Sequence, residues 1–501
     1  MLLNIKPTAL AVALAFSVSA NYALAAQGVS SSQTPYVVPT AAGWDVTSII
    51  TVGDQAANGY KLVGIPDGMG AYDNGDDTFT LLINHELGAT LGAVRAHGAT
   101  GAFVSEFVIN KNTLAVVNGA DLATNHQVWN STTSSYQQAT GTTNSFARLC
   151  SADLPAVSAF YNASTGLGTQ SRIFMNGEES GAEGRAYGFV ATGASKGTAY
   201  ELPKLGKFSW ENSVANPFSG DQTIVVGTDD STPGQVYIYK GTKTNTGLEI
   251  DKAGLTNGQL YGVKVNGVTT ETAAVNGSFT LEQINTNQSG ALQNTESNTL
   301  GITNFARPED GHWADADTFY FATTGTATGG SAKLYRLDLN NNLDGGNVTM
   351  VLDSSSLLGT DGAAARSFDN ITVDENGNVL IQEDPGNNAY IAKTWLFDPS
   401  TGTSTQILES DRSRFLTGAT GYLTQDEESS GIIDVTSLLG RNDGKQYYLG
   451  NMQAHYSIAG ELVEGGQIYL ISAPVPEPET YAMLIAGLGL VGAVARRRKQ
   501  K

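Results

Sequence analysis

From about residue 27 to residue 473 the chain alternates apolar and polar positions in short runs. "DTFTLLINHE", "GQVYIYKGTK", "AKLYRLDLN", "NVLIQED", "TWLFDPSTGT" and "GQIYLISAP" place β-branched or aromatic residues at every second position, the period of a strand with one buried face. Turn chemistry separates them at Asn74-Gly75, Asn376-Gly377 and Thr401-Gly402, and "ITVDENGNVLI" predicts a hairpin closed by Asp-Glu-Asn-Gly. "LYRLDL" and "WLFDPSTG" have the form of propeller-blade strands, aromatic and ending in a polar turn. The expectation is an all-β chain folded as a β-propeller with loop insertions. It rests on loose recurrence, because no repeat of fixed period is apparent. Residues 124–145 and 264–300, rich in Thr, Asn, Gln and Ser, predict long loops or inserted hairpins, and "SADLPAVSAFYN" is the best candidate for a short helix. "DLNNNLDGG" alternates oxygen side chains at Asp338, Asn340, Asn342 and Asp344. It has Leu343 where a calcium loop needs glycine, and no closing Glu, so it reads as a turn.

Both ends carry processing signals. Lys6, an apolar run from Ala9 to Val18 and the small-residue pattern Ala23-Leu24-Ala25 predict a Sec-type signal peptide over residues 1–26, cleaved near residue 25 or 26. At the other end Pro476, Glu477 and Pro478 precede an apolar run from Tyr481 to Ala495 and then Arg496, Arg497 and Arg498. The run is short for a relaxed span, and the basic cluster would stay cytoplasmic, which predicts a temporary transmembrane anchor. This order of elements over residues 474–501 resembles the PEP-CTERM sorting tail, which implies removal by an exosortase and an exported, envelope or extracellular location in a Gram-negative bacterium. Gly487, Gly489 and Gly492 spell a dinucleotide fingerprint by chance, since no strand–helix unit follows. Residues 27–473 are then one folded unit.

Charge narrows the partners. With 28 basic against 48 acidic residues, a net charge of −20, the chain offers no electropositive surface for DNA or RNA. An anionic ligand would need cations placed at its site, as metal ions or arginine. Cys150 is the sole cysteine, which excludes an internal disulfide and leaves it either buried and inert or used as a ligand.

Oxygen ligands concentrate in five stretches. Asn84, His85 and Glu86 follow one apolar strand, and Glu178 and Glu179 follow another. "NFARPEDGHW" holds Arg307, Glu309 and Asp310; a guanidinium two residues before a carboxylate can offer a fork to phosphate while the carboxylate binds metal. Asp369 and Asn370 precede a strand, with Glu383 and Asp384 after the next, and "DEESSG" at 426–431 is followed by Gln453 and His455. Any one such acidic turn is ordinarily solvated surface. Several at strand ends are another matter, because a propeller brings strand ends from different blades to one axial mouth. Hard oxygen ligands in that number suit Ca²⁺, and a thiolate among them suits iron or another softer metal.

"INHE" at 83–86, "NGEES" at 176–180, "ARPED" at 306–310, "FDNITVDENGNVLIQED" at 368–384 and "NMQAH" at 451–455 resemble, in this order, the PhoX-type alkaline phosphatases. The resemblance implies an exported six-bladed propeller that hydrolyses phosphate esters with calcium and a di-iron centre. It implies that Arg307 contacts phosphate, that Glu309 and Glu178 or Glu179 are metal ligands, and that Cys150 binds iron. It further implies that Asp369, Asn370 and Glu383 or Asp384 hold calcium, with His85 and Glu86 at the same rim. The sequence departs from the family in the residues around Cys150, in Gln-Ala-His-Tyr at 453–456, and in a Sec-type signal, with which iron would be acquired after export. The competing reading is a non-catalytic, calcium-stabilised propeller that binds extracellular polysaccharide. Cys150, Glu178 or Glu179, Arg307 and Glu309 within one metal shell would favour the enzyme; their scattering would favour the binder.

Overall fold

The computed structural model describes residues 24–325 and 330–474. Its strands form six antiparallel blades around one axis, the nine-stranded sheet being two blades joined where Gly277–Ile284 pairs with Gly345–Asp353. Their innermost strands are Pro66–Asp73 in blade 1, Trp210–Ala215 in blade 3, Pro308–Trp313 in blade 4, Phe368–Val373 in blade 5 and Glu427–Asp434 in blade 6. In blade 2 the innermost position belongs to the irregular stretch 149–153, bridged to Ile173–Gly177 through Leu149↔Glu178 and Asp153↔Met175.

Alternation explains the packing. In Thr78–His85, Phe79, Leu81 and Ile83 join the apolar cluster against blade 6, while Leu82 turns toward blade 2 with Val104, Phe174 and Phe189. Each remaining boundary has its own cluster, such as Met175 with Trp210 between blades 2 and 3, and Phe319 with Val226 between blades 3 and 4. Trp395 with Leu334 fills the boundary of blades 4 and 5, and Ile407 with Tyr469 that of blades 5 and 6. A strand buried on both faces therefore reads as a nearly continuous apolar run.

Blade 6 closes the ring. Its strands Glu427–Asp434, Lys445–Ile458 and Val463–Pro474 are completed by Asp45–Thr51 from the other end of the chain, with Val46 opposite Ile471. Leu24–Gln27 adds a parallel edge to Asp45–Thr51, so cleavage near residue 25 or 26 would fall inside this strand. The rest of the expected leader and the segment 475–501 lie outside the described residues. Among the described residues no helix is long and apolar enough to cross a membrane.

Two sequence expectations need correction. "SADLPAVSAFYN" contains only a single 3₁₀ turn, Val157–Ala159. The longest helix among the described residues is Gly290–Leu300, inside a stretch expected to be loop. Its stripe is weakly apolar, but its ends are signalled: Ser289 Oγ accepts from the Leu292 amide at 3.3 Å, and Gly301 stops it at φ +73°. Residues 124–145 do contain an inserted hairpin, Asn125–Asn130 with Ser135–Gln138, on the outer edge of blade 2.

Candidate metal centre

The site follows from one backbone irregularity repeated around the axis. In blade 1, Pro66 pairs with His85 and Met69 with Ile83, so one extra residue bulges from the inner strand. The same slip separates Trp210 from Ser213, Pro308 from Gly311, Phe368 from Ile371 and Glu428 from Gly431. Between Leu149 and Asp153 the inner segment of blade 2 slips likewise. The residue after the first paired position is Asp67, Cys150, Glu211, Glu309, Asp369 and Ser429 in blades 1 to 6. Five of these six can ligate a metal. Gly68 follows Asp67 because the neighbouring segment lies against it; a Cβ there would come within 2.2 Å of the Ala152 amide.

A second ring comes from the adjoining strands. One residue beyond each partner of the bulged pair stand Glu86, Glu179, Asp230, Thr324, Asp384 and Ala454. Register thus separates the adjacent acidic pairs that sequence leaves ambiguous. Glu179 and Asp384 belong to the ring, whereas Glu178 and Glu383 turn into their blades. Glu178 pairs with Arg185 at 2.8 Å. Glu383 accepts from Trp395 Nε1 at 3.0 Å, Tyr390 Oη at 2.9 Å and the Lys393 amide at 2.9 Å.

This gives a prediction. Glu383→Ala, which orphans those donors, costs about 3–5 kcal/mol in denaturant unfolding. Asp384→Asn leaves the metal-free fold nearly as stable and weakens any stabilisation by an added metal ion. Equal destabilisation by the two substitutions would contradict the register assignment.

Among the described residues three groups of ligand atoms converge within 4.8 Å: Asp67, Glu86 and Cys150; Glu211, Glu309 and Asp369; and Asp369, Asp384 and Glu428. Asp67 Oδ2 accepts from Gln453 Nε2 at 2.9 Å, while Asp67 Oδ1 is buried without a hydrogen-bond partner. Asn84 Nδ2 donates to the Cys150 carbonyl at 2.6 Å, so Asn84 supports the ring from behind. Ser151 Oγ ties Glu211, at 2.5 Å, to Asn370, at 3.2 Å. Burial and neighbouring carboxylates push the ring acids up, Glu211 to about 8, Asp384 to about 7 and Glu179 to about 10. The same causes push the Cys150 thiol well up. Burial also pushes Glu428 upward, but the hydrogen bond and charge of His455 outweigh it and hold this carboxyl below its usual range. His455 is itself raised to about 11 against its burial, by Glu428 and by Glu464, 2.5 Å from Nδ1.

Two arginines sit among these acids. Arg307 Nε and Nη2 donate to Asp230 Oδ1 and Oδ2 at 2.7 and 2.8 Å, and Nη2 lies 3.3 Å from Glu309 Oε1. Thr324 Oγ1 also donates to Glu309 Oε1. Arg148 Nε donates to Glu86 Oε1 at 2.7 Å, and its Nη2 pairs with Glu179. Arg307 has φ +60°, a left-handed backbone shared at the same register by Ile65, Arg148 and Ser367, and so a feature of the repeated bulge.

Other expected site residues lie apart. His85 is buried in blade 1, 2.8 Å from Ser105 Oγ and stacked on Phe103, and burial lowers it to about 3. Asp310 accepts from Asn212 Nδ2 at 2.5 Å and from the Ile371 amide at 3.1 Å, and lines a cavity of about 410 Å³ at the opposite end of the axis. Asp67, Glu211, Asp230 and Arg148 were not expected. For Asp67 and Glu211 the signal was the recurrence of "PDGM", "WENS", "PEDG" and "FDNI" at inner-strand starts, with Pro308, Phe368 and Glu428 spaced by 60 residues. The inserted hairpin of Asn125–Asn130 with Ser135–Gln138 and the helix Gly290–Leu300 hide that period.

The profile of a family described as alkaline phosphatase PhoX matches residues 159–424, and a PEP-CTERM protein-sorting motif matches residues 474–499. The first range takes in Arg307 and Glu309 and leaves out Asp67, Cys150 and Glu428. The fold is similar to that of Pseudomonas fluorescens PhoX in complex with vanadate, a transition state analogue, with a TM-score of 0.59 at 12% identity. That alignment covers 89% of this chain and 98% of the other. A "hypothetical selenium-binding protein" from Sulfolobus tokodaii aligns over 82% of this chain and 96% of its own at a TM-score of 0.33 and 8% identity. No curated protein matches the chain.

Proposed function

The chain belongs to the alkaline phosphatase PhoX family, and from that premise we propose that its axial mouth hydrolyses phosphate esters with metal ions held by the two rings. The observation that carries this reading is the repeated bulge, which presents a carboxylate or thiol from five blades at one level beside Arg307. Cys150 converges with Asp67 and Glu86, and Glu309 with Glu211 and Asp369, so the two lie in neighbouring groups and not in one shell; a binding propeller still has no need of both Cys150 and Arg307 at one mouth.

The residues fit metal. Asp67 Oδ1 is buried without a partner, and the raised acids of the rings exceed the cationic side chains beside them. Asp369, Asp384 and Glu428 offer oxygen alone and suit calcium; Asp67, Glu86 and Cys150 add sulfur and suit iron. Bound there, such ions supply Lewis-acid charge against the ester oxygens and an activated water. The chain's own part is placement. Asp230 fixes the Arg307 guanidinium in plane, so its free edge meets phosphoryl oxygens without reorganisation, and Thr324 and Arg307 hold Glu309 in one orientation. Ser151 and Gln453 do the same for Glu211 and Asp67. Ser105 bonds His85, but the other ring nitrogen of His85 meets the Gly64 carbonyl, and among the described residues no Ser-His-Asp arrangement competes for the role of nucleophile.

The sorting motif supports export. In this reading residues 1–26 are removed as a Sec-type leader, 27–473 fold outside the cytoplasm, and an exosortase removes the tail from 474 onward in a Gram-negative envelope. Metals are then acquired after export. The test is hydrolysis of p-nitrophenyl phosphate and its bis-ester by the purified chain with calcium and iron and with chelator. Chelator-sensitive turnover supports the reading; absence of turnover under every metal, with calcium still raising Tm, would make the ligands structural.

A further inference from the structure

Arg148 and Arg307 are register equivalents. Each stands immediately before the first bulge-paired residue of its inner strand, Leu149 in blade 2 and Pro308 in blade 4. Both have left-handed backbones, φ +47° and +60°. Each guanidinium bridges a carboxylate of the preceding blade, Glu86 or Asp230, and one of its own, Glu179 or Glu309. Their accessibility differs from that of their partners. The arginine side chains are 50% and 34% exposed, whereas the four carboxylates are between 3% and 10%. Among the described residues neither Nη1 has a hydrogen-bond partner, so each fork keeps an edge turned to the mouth.

We propose that Arg148 is a second anion-binding residue of the mouth, and that the preferred substrates are phosphate esters carrying a second anionic group. This rests on the phosphatase reading. Arg307 takes the phosphoryl group and Arg148, two blades away on the same rim, takes a carboxylate or second phosphate. In a chain of net charge −20, a second anion is held near the site only where a cation offsets the surrounding acids. The left-handed backbone recurs at Ile65 and Ser367, one residue before Pro66 and Phe368, so it belongs to the bulge, and it is the arginine side chain that sets blades 2 and 4 apart.

The test compares 3-phosphoglycerate with glycerol 3-phosphate, which differ by a carboxylate in place of a hydroxymethyl group. The native chain is expected to favour the former about tenfold in kcat/KM, the size of one charge-assisted hydrogen bond, and to do so through KM. Arg148→Gln brings the ratio to about one. Arg148→Lys keeps a charge beside Glu86 and Glu179, guards against a folding defect, and also loses most of the preference because an ammonium has no second edge. An equal fall on both substrates, with the ratio unchanged, would make Arg148 a buttress and overturn the proposal, as would a native ratio of one. If neither ester is hydrolysed, the phosphatase reading fails separately. Calorimetry then compares phosphonoacetate with methylphosphonate, tighter binding of the former that Arg148→Gln abolishes sustaining the second subsite and equal binding overturning it.

Discussion

Arg307→Gln is expected to lower kcat/KM for p-nitrophenyl phosphate by about 10²- to 10³-fold, the cost of removing one preorganised donor from developing negative charge. The guanidinium is the part of the site that pairs fixed positive charge with a free donor edge at the level of Glu309. Its hold on Asp230 uses Nε and Nη2 and leaves the other edge for an oxyanion. If that edge works mainly in the transition state, kcat falls with kcat/KM and KM moves little. Arg307→Lys recovers little, because a point charge cannot grip Asp230 and a phosphoryl oxygen in one plane. Steady-state kinetics on samples of measured metal content check this. Loss of activity in step with loss of metal would instead assign Arg307 to holding the carboxylates.

The second large effect concerns pH and stability without metal. In Glu211, Asp384 and Glu179 the folded-state pKa lies above the ordinary carboxylate value, chiefly through burial and then through neighbouring acids. The folded chain therefore keeps protons that the unfolded chain has released. Their contribution to stability is full below about pH 4 and is lost as pH rises through about 7 to 8 for Asp384 and Glu211. After chelator treatment Tm should fall by roughly 5–10 °C between pH 5 and pH 8.5. Calcium requires deprotonated ligands, so its stabilisation grows over the same window and flattens or reverses the slope. Scanning calorimetry with and without calcium measures both, and Glu211→Gln should reduce the metal-free slope. A metal-free Tm that rises with pH would show that these acids are not crowded together.

Sequence disclosed the propeller class because β-branched and aromatic residues recur at every second position, as in Phe79, Leu81 and Ile83, and because a propeller strand needs little beyond its neighbour to satisfy that pattern. Arg307 and Glu309 were legible for a local reason: charge beside proline at a strand start. Glu178 with Glu179, and Glu383 with Asp384, could not be divided, since facing is set by pairing with Leu149 and Phe368, each more than a dozen residues earlier in the chain. Asp67 and Glu211 were hidden differently. Each is a lone acid beside a long apolar strand, and only the bulge shared with Glu309 and Asp369 gives it company. The helix Gly290–Leu300 was missed because Asn, Gln, Thr and Ser fill it, leaving its caps as the sole cue.

In the proposed enzyme the bulged positions of five blades, joined by acids of the adjoining strands, hold the metal ions that cleave phosphate esters. The most direct test follows p-nitrophenyl phosphate turnover in one metal-stripped preparation while calcium and iron are restored and bound metal is counted by elemental analysis. Turnover is expected to rise with bound metal, to saturate at a fixed stoichiometry, and to be absent from Glu309→Gln. Full metal occupancy without turnover, or turnover in the stripped protein, would contradict it.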